Sequence, residues 1–171
     1  MKIAYNLIGT KKTINYVILG LIFILLFSLS AIAQENPPIP VQVEVDTDLN
    51  LNFGTFTTGN AGGTVIVNSN GSRTSTGDIS LVSMDQGSHA LFTVTANPGT
   101  LITIGSQPIT LIGPPGGSMD LKIDSYSTGQ TFITRTSTTS VFVGGTLTVG
   151  NSSQSPPGQY TEYFTLTFIQ Q

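Results

Sequence analysis

The chain of 171 residues has no cysteine, no tryptophan and only one histidine. Without cysteine it forms no disulfide, carries no lipid on an N-terminal cysteine and offers no thiolate for catalysis. A Ser-His-acid unit would have to use His89, and one histidine is too few for a zinc site, which needs three or four ligands. Residues 86–89 have a turn-like composition, so we expect His89 to face solvent in a loop. The sequence therefore predicts a protein that is not an enzyme and holds no cofactor.

Charged residues are also scarce, at 9% of the chain. Beyond residue 33 there are three basic residues against nine acidic ones, a net charge of −6. Nucleic acids and anionic lipids are bound through clustered Lys and Arg. We therefore expect no binding to nucleic acid, and no membrane association once the N-terminal segment has been removed.

The N-terminal segment has the composition of a secretory signal peptide. Basic residues precede an apolar run over residues 16–29, and Ala31 and Ala33 supply a small-x-small end. The run is shorter than the roughly 20 residues of a spanning helix. We predict a helical signal peptide over residues 1–33, cleaved after Ala33, and an exported protein in the periplasm, on the outer surface or outside the cell. Residues 34–40 form a leader rich in proline, and residues 41–171 form a single domain.

Short alternating runs separated by Gly, Pro and Asn turns continue through residues 41–171, and none has a helical stripe. Apolar residues alternate over residues 41–53, which we interpret as one or two strands, and residues 57–63 resemble a loop. The turn at 97–100 predicts a hairpin between the runs on either side of it. Residues 159–169 predict a last strand with Phe164, Leu166 and Phe168 on its inner face. Many short strands and irregular loops predict an all-β fold, a Greek-key β-sandwich.

One stretch contains a weak candidate metal site. The residues Asp46, Asp48 and Asn50 resemble the opening of a calcium loop, but Leu51 and Thr57 occupy the places where an EF-hand has Gly and Glu. In the simpler interpretation, the three polar side chains lie on the solvent-facing side of a strand. A glycan- or calcium-binding module is thus the alternative function.

The valines at 41, 43 and 45 alternate with Gln42 and Glu44 directly after the leader. This segment has the pattern of a strand that either closes its own sheet or is donated to a neighbouring molecule. We favour self-completion, in which the segment closes its own sheet, since the leader is short. Val41, Val43 and Val45 are accordingly the candidate residues for strand donation or edge pairing.

Six short motifs occur in the order seen in the bacterial domain of unknown function 4402 family, which the chain resembles over nearly all of residues 41–171. That family is similar to spore-coat-U-like and fimbrial subunits, whose pilins are incomplete immunoglobulin-like sandwiches completed by a neighbour's strand. The resemblance implies an immunoglobulin-like, pilin-like fold, no enzymatic activity, and a structural or adhesive cell-surface subunit. It also implies partners that are copies of the chain or other surface subunits, joined by β-strand addition, although the chain lacks the cysteine pair of fimbrial subunits. The motifs are LNFG (51–54), AGGTV (61–65), GSRT (71–74), FTVT (92–95), GTLTVG (145–150) and PGQY (157–160).

Overall fold

The computed structural model describes residues 40–114 and 116–171, so the predicted signal peptide and the leader before Pro40 lie outside the described residues. Every regular element in these ranges is a strand, and the described residues form one compact unit. The prediction of an all-β fold is confirmed. The strands are β1 (Gln42–Val45), β2 (Phe56–Val67), β3 (Arg73–Leu81), β4 (Ala90–Thr95), β5 (Leu101–Ser106), β6 (Ile109–Ile112), β7 (Ser118–Tyr126), β8 (Thr131–Ile133), β9 (Thr138–Val149) and β10 (Leu166–Gln170).

The larger sheet is organised around β9. Its first half pairs with β4, which carries β1 on its other side, and its second half pairs with β2, which carries β3. The opposite edge of β9 pairs with β7, and β7 pairs with β6. All of these pairings are antiparallel. Gly144 lies where β9 passes from β4 to β2, and a Cβ there would meet the carbonyl oxygen of Val67.

The smaller sheet has the order β10-β5-β8, also antiparallel, and the hydrophobic core lies between the two sheets. Alternate side chains point inward, as the period of a strand requires. Phe92 of β4 lies against Phe164 and Phe168, with ring centroids 6.2 Å and 5.9 Å apart, so β10 crosses over β4. The most deeply buried apolar side chains come from four strands and are Val65, Val67, Val94, Ile102, Ile104, Val141 and Val143.

Two local predictions were wrong. The runs flanking residues 97–100 do not form a hairpin, because β4 pairs with β1 and β9 whereas β5 pairs with β8 and β10. The connection instead crosses from one sheet to the other. Residues 57–63 belong to β2, and their pairing with β3 is irregular between Thr58 and Gly63. A Cβ on Gly63 would meet the carbonyl oxygen of Thr76, so glycine is what lets the two strands approach here.

The final strand is shorter than predicted, but its inner face is as predicted. Phe164, Leu166 and Phe168 are half-buried and pack against the core. Pairing with β5 begins only at Leu166, opposite Ser106. The residues before Leu166 have no partner in β5, because β5 ends at Ser106. Pro108 follows shortly after and has no N–H to donate. Residues 159–165 therefore have a strand-like sequence but no paired strand.

Candidate interaction edge

The segment with the alternating valines lies in its own sheet. β1 pairs antiparallel with β4, with Val43 opposite Val94 and Val45 opposite Phe92. Directly opposed side chains in an antiparallel pair point to the same face. Because Val94 is fully buried and Phe92 is 7% exposed, Val43 and Val45 point to the core side of the sheet. They are nevertheless 39% and 56% exposed, so the described residues cover their apolar face only in part.

The reason for this exposure is the width of the two sheets. β10 is the outermost strand of the smaller sheet, and its aromatic residues lie across from Phe92 of β4. β1 lies one strand further out than β4. Among the described residues, no strand of the smaller sheet lies beyond β10 to face β1.

Among the described residues, none pairs with the outer edge of β10. The N–H of Gln171 donates to the carbonyl of Leu101 at 3.0 Å, which fixes the odd-numbered residues as those bonded to β5. The N–H and C=O groups of Leu166, Phe168 and Gln170 therefore point away from β5. β10 contains no charge, proline or glycine, so nothing in its sequence opposes an added strand. We call the free edge of β10 together with the exposed Val43 and Val45 the open step.

The other outermost strands are less suited to pairing. β8 has three residues and β6 has four. β3 carries Arg73 and Asp78, and charged side chains on an edge oppose the addition of a strand. β1 carries Glu44 and is followed by a bulge, since both the N–H of Asp46 and the carbonyl of Leu49 bond to Leu91, each at 3.1 Å. Bulges and charges are the usual protection of an edge.

This bulge contains the candidate calcium ligands. Asp46 Oδ1 accepts hydrogen bonds from the N–H groups of Asp48, at 2.9 Å, and Leu49, at 3.2 Å. Asp46, Asp48 and Asn50 are exposed, as the solvent-side interpretation expects, but the strand was wrong, because residues 46–50 form none and Asp46 closes a local turn. The described residues contain no group of three His, Cys, Asp or Glu side chains placed to hold a metal. Calcium binding by Asp46, Asp48 and Asn50 stays a prediction.

His89 is not the solvent-facing residue that we expected. It is half-buried directly before β4, and its ring meets Phe142 edge-on at a centroid distance of 4.8 Å. Its Nδ1 is buried without a hydrogen-bond partner. The turn at Gly71 covers it, since a Cβ on that glycine would lie 3.2 Å from Nδ1. Its contacts are those of a packed aromatic side chain.

Two of the sequence motifs meet at one corner of the larger sheet. The guanidinium of Arg73 donates to the carbonyls of Phe53 and Val82, each at 2.8 Å. Beside it, Asp85 accepts a 2.7 Å hydrogen bond from the Thr55 hydroxyl, which is the main cause that lowers the pKa of Asp85. A Cβ on Gly54 would collide with the Arg73 guanidinium. The LNFG and GSRT motifs thus contact each other and hold this corner of the sheet together. The sequence did not reveal this contact, because the two motifs are far apart in the chain.

The Pro-Gly-x-Tyr motif also has a packing role. The Tyr160 hydroxyl donates to the carbonyl of Pro156 at 2.8 Å, and burial raises the pKa of this phenol. A Cβ on either Gly113 or Gly117 would collide with the Tyr160 side chain. A Cβ on Gly158 would meet Pro114. The motif therefore holds the segment before β10 against the turn between β6 and β7.

None of the described residues forms a helix that is long and apolar enough to cross a membrane.

Comparison with curated proteins finds no match, and comparison with solved structures finds none. A family model described as a domain of unknown function (DUF4402) matches residues 43–169. This range runs from Val43 of β1 to Ile169 of β10 and so includes both sides of the open step. The chain belongs to the DUF4402 family.

Proposed function

We propose that the protein is a non-catalytic, exported β-sandwich that serves as a structural or adhesive subunit at the bacterial cell surface. The observation that carries this proposal is the open step, where the edge of β10 has no partner among the described residues and the valines of β1 are partly exposed. An edge of this kind gains both hydrogen bonds and apolar contact from an added strand. Its partners are copies of the chain or other surface subunits, joined by β-strand addition.

The finer architecture that we propose is an immunoglobulin-like, pilin-like Greek key. Two features support it. The consecutive strands β4 and β5 lie in different sheets, and β9 pairs with β2, β4 and β7, which come from distant parts of the sequence. Such crossings between sheets are typical of Greek-key sandwiches.

Export rests on the signal peptide predicted over residues 1–33. Expression of the full chain in a bacterial host, followed by cell fractionation and N-terminal sequencing, tests it. We expect a product that begins at Gln34 and is found in the periplasm, on the surface or in the medium. An uncleaved product in the cytoplasm would refute the proposed role, whatever the folded domain binds.

We propose self-completion rather than donation for residues 41–45, since β1 pairs with β4 of its own chain. Deletion of residues 37–45 should lower the melting temperature equally at all protein concentrations, because β4 then loses an intramolecular partner. A melting temperature that depends on concentration in the intact protein would indicate donation between copies. An unchanged, concentration-independent value after deletion would remove both roles.

A further inference from the structure

The open step differs from an ordinary exposed edge because the two sheets end unevenly there. β1 projects beyond β10 by one strand, and the inward-pointing Val43 and Val45 are 39% and 56% exposed. Neighbouring strands are about 4.8 Å apart and facing sheets about 10 Å apart. A strand added to β10 would therefore lie across from β1 and cover these two valines.

The step has room for one strand and not for the edge of another sandwich. Every strand pairing among the described residues is antiparallel, so suppose that a second copy placed its β10 antiparallel to the first copy's β10. In that second copy β4 lies across from β10, so its β4 would fall where the first copy already has β1. The two larger sheets would collide. An occupant that pairs antiparallel with β10 must therefore be a single extended segment with nothing packed on its inner face.

We infer that the open step binds one extended segment of another surface protein, with apolar side chains at alternate positions and neutral or basic residues elsewhere. This inference rests on the proposed function and narrows its partner to a protein other than a second copy. β1 forms the floor of the step, and so a copy that donated its β1 would lose the floor of its own.

The charges around the step determine which segments fit. Glu44 on β1, Asp46 and Asp48 in the following bulge, and Glu162 before β10 are all acidic and exposed. The three basic residues of the described chain, Arg73, Lys122 and Arg135, lie on β3, on β7 and after β8. Acidic segments are therefore repelled at low salt, and basic ones are attracted.

The segment's alternation follows from the backbone of β10. An added strand would bond to the N–H and C=O groups of Leu166, Phe168 and Gln170. Every second side chain would then enter the space above Val43 and Val45. The intervening side chains would lie beside Thr167 and Ile169 on the outer face, where Ile169 is 47% exposed.

The test uses the full chain, purified as the host processes it, and a peptide of about seven residues, a common strand length. The peptide has valine at alternate positions with lysine and threonine between them. Its control has the same sequence except that a central proline replaces one valine, which removes a backbone donor. We expect saturable binding with Kd below about 1 mM, and new protection from exchange at the amides of Leu166, Phe168 and Gln170.

Two matched variants locate the binding. Val45→Lys places a charge on the floor of the step. Ile133→Lys places one on β8, at the edge of the smaller sheet that lies opposite β10, where Ile133 is 60% exposed. We expect Val45→Lys to weaken binding by about tenfold or more and Ile133→Lys by less than about twofold. If Val45→Lys fails to fold, Val43→Thr, which keeps the side-chain shape, should weaken binding in the same direction.

Three results would overturn the inference: equal binding by the proline control, equal weakening by both lysine variants, or a stable dimer in size-exclusion chromatography without peptide. Export and cleavage are measured separately. A chain that is exported but does not bind the peptide refutes the single-segment partner and leaves the exported subunit role standing.

Discussion

Thr134 is one of the two buried polar residues of the described chain, and it holds the connection that carries the chain from one sheet to the other. It follows β8 and is 1% exposed. Its hydroxyl donates to the carbonyl of Asn97 at 2.6 Å and accepts from the N–H of Thr100 at 3.0 Å. Both partners belong to the connection between β4 and β5.

Thr134→Val keeps the shape of the side chain and removes only the hydroxyl. A buried hydrogen-bonding group left without a partner costs about 1–3 kcal/mol. In this variant both partners still have another hydrogen bond. The Asn97 carbonyl accepts from the Thr100 hydroxyl at 2.7 Å, and the Thr100 N–H donates to the Asn97 carbonyl at 3.2 Å. We therefore expect the lower part of that range, a loss of about 1–2 kcal/mol in the free energy of unfolding.

Urea unfolding measures this loss as a lower midpoint at an unchanged slope. Thr136→Val is the matched control, since the Thr136 hydroxyl also donates to a carbonyl, that of Thr138 at 2.7 Å, but in an exposed position. The control should change stability by less than about 0.5 kcal/mol. Equal effects of the two substitutions would refute the role assigned to Thr134.

Two further predictions concern β9 and the corner of the larger sheet. Gly144→Ala should destabilise the protein by about 1–3 kcal/mol in the same urea assay, because its Cβ would meet the backbone of β2. Gly105→Ala, whose Cβ would lie 3.8 Å from Thr167, should be neutral or slightly stabilising, and the reverse order would contradict the packing at Gly144. Asp85 has a folded-state pKa below its ordinary value of 3.8, so its ionised form stabilises the fold above about pH 4, and that contribution is lost as the pH falls through the lowered pKa. The stability difference between the wild type and Asp85→Asn should therefore shrink as urea unfolding is repeated from pH 7 towards pH 3, and a constant difference would show that the carboxylate charge is not involved.

Local alternation predicted what depends on neighbours in the sequence. The inner face of Phe164, Leu166 and Phe168 followed from the period of two, and this face is confirmed by the packing of the three residues against the core. Residues 57–63 were missed because their Gly, Thr and Asn composition has no apolar alternation. Thr57, Thr58 and Gly63 are held in the strand by pairing with β3, which lies later in the chain.

Long-range pairing explains the remaining differences. A turn such as residues 97–100 joins two strands equally well within a sheet or between sheets, and the choice is made by β1, β9, β8 and β10. The alternation of Val43 and Val45 was visible in the sequence. No strand of the described chain covers them, because the smaller sheet ends at β10. No local pattern in the sequence reveals where that sheet ends.

The most direct test of the open step is amide hydrogen exchange along β10 in the free protein, followed residue by residue by NMR. We predict alternation: the amides of Thr167 and Ile169, which bond to β5, exchange slowly, and those of Leu166, Phe168 and Gln170 exchange faster by about tenfold or more. Slow exchange at all five amides would mean that another strand already covers this edge, and it would contradict the account.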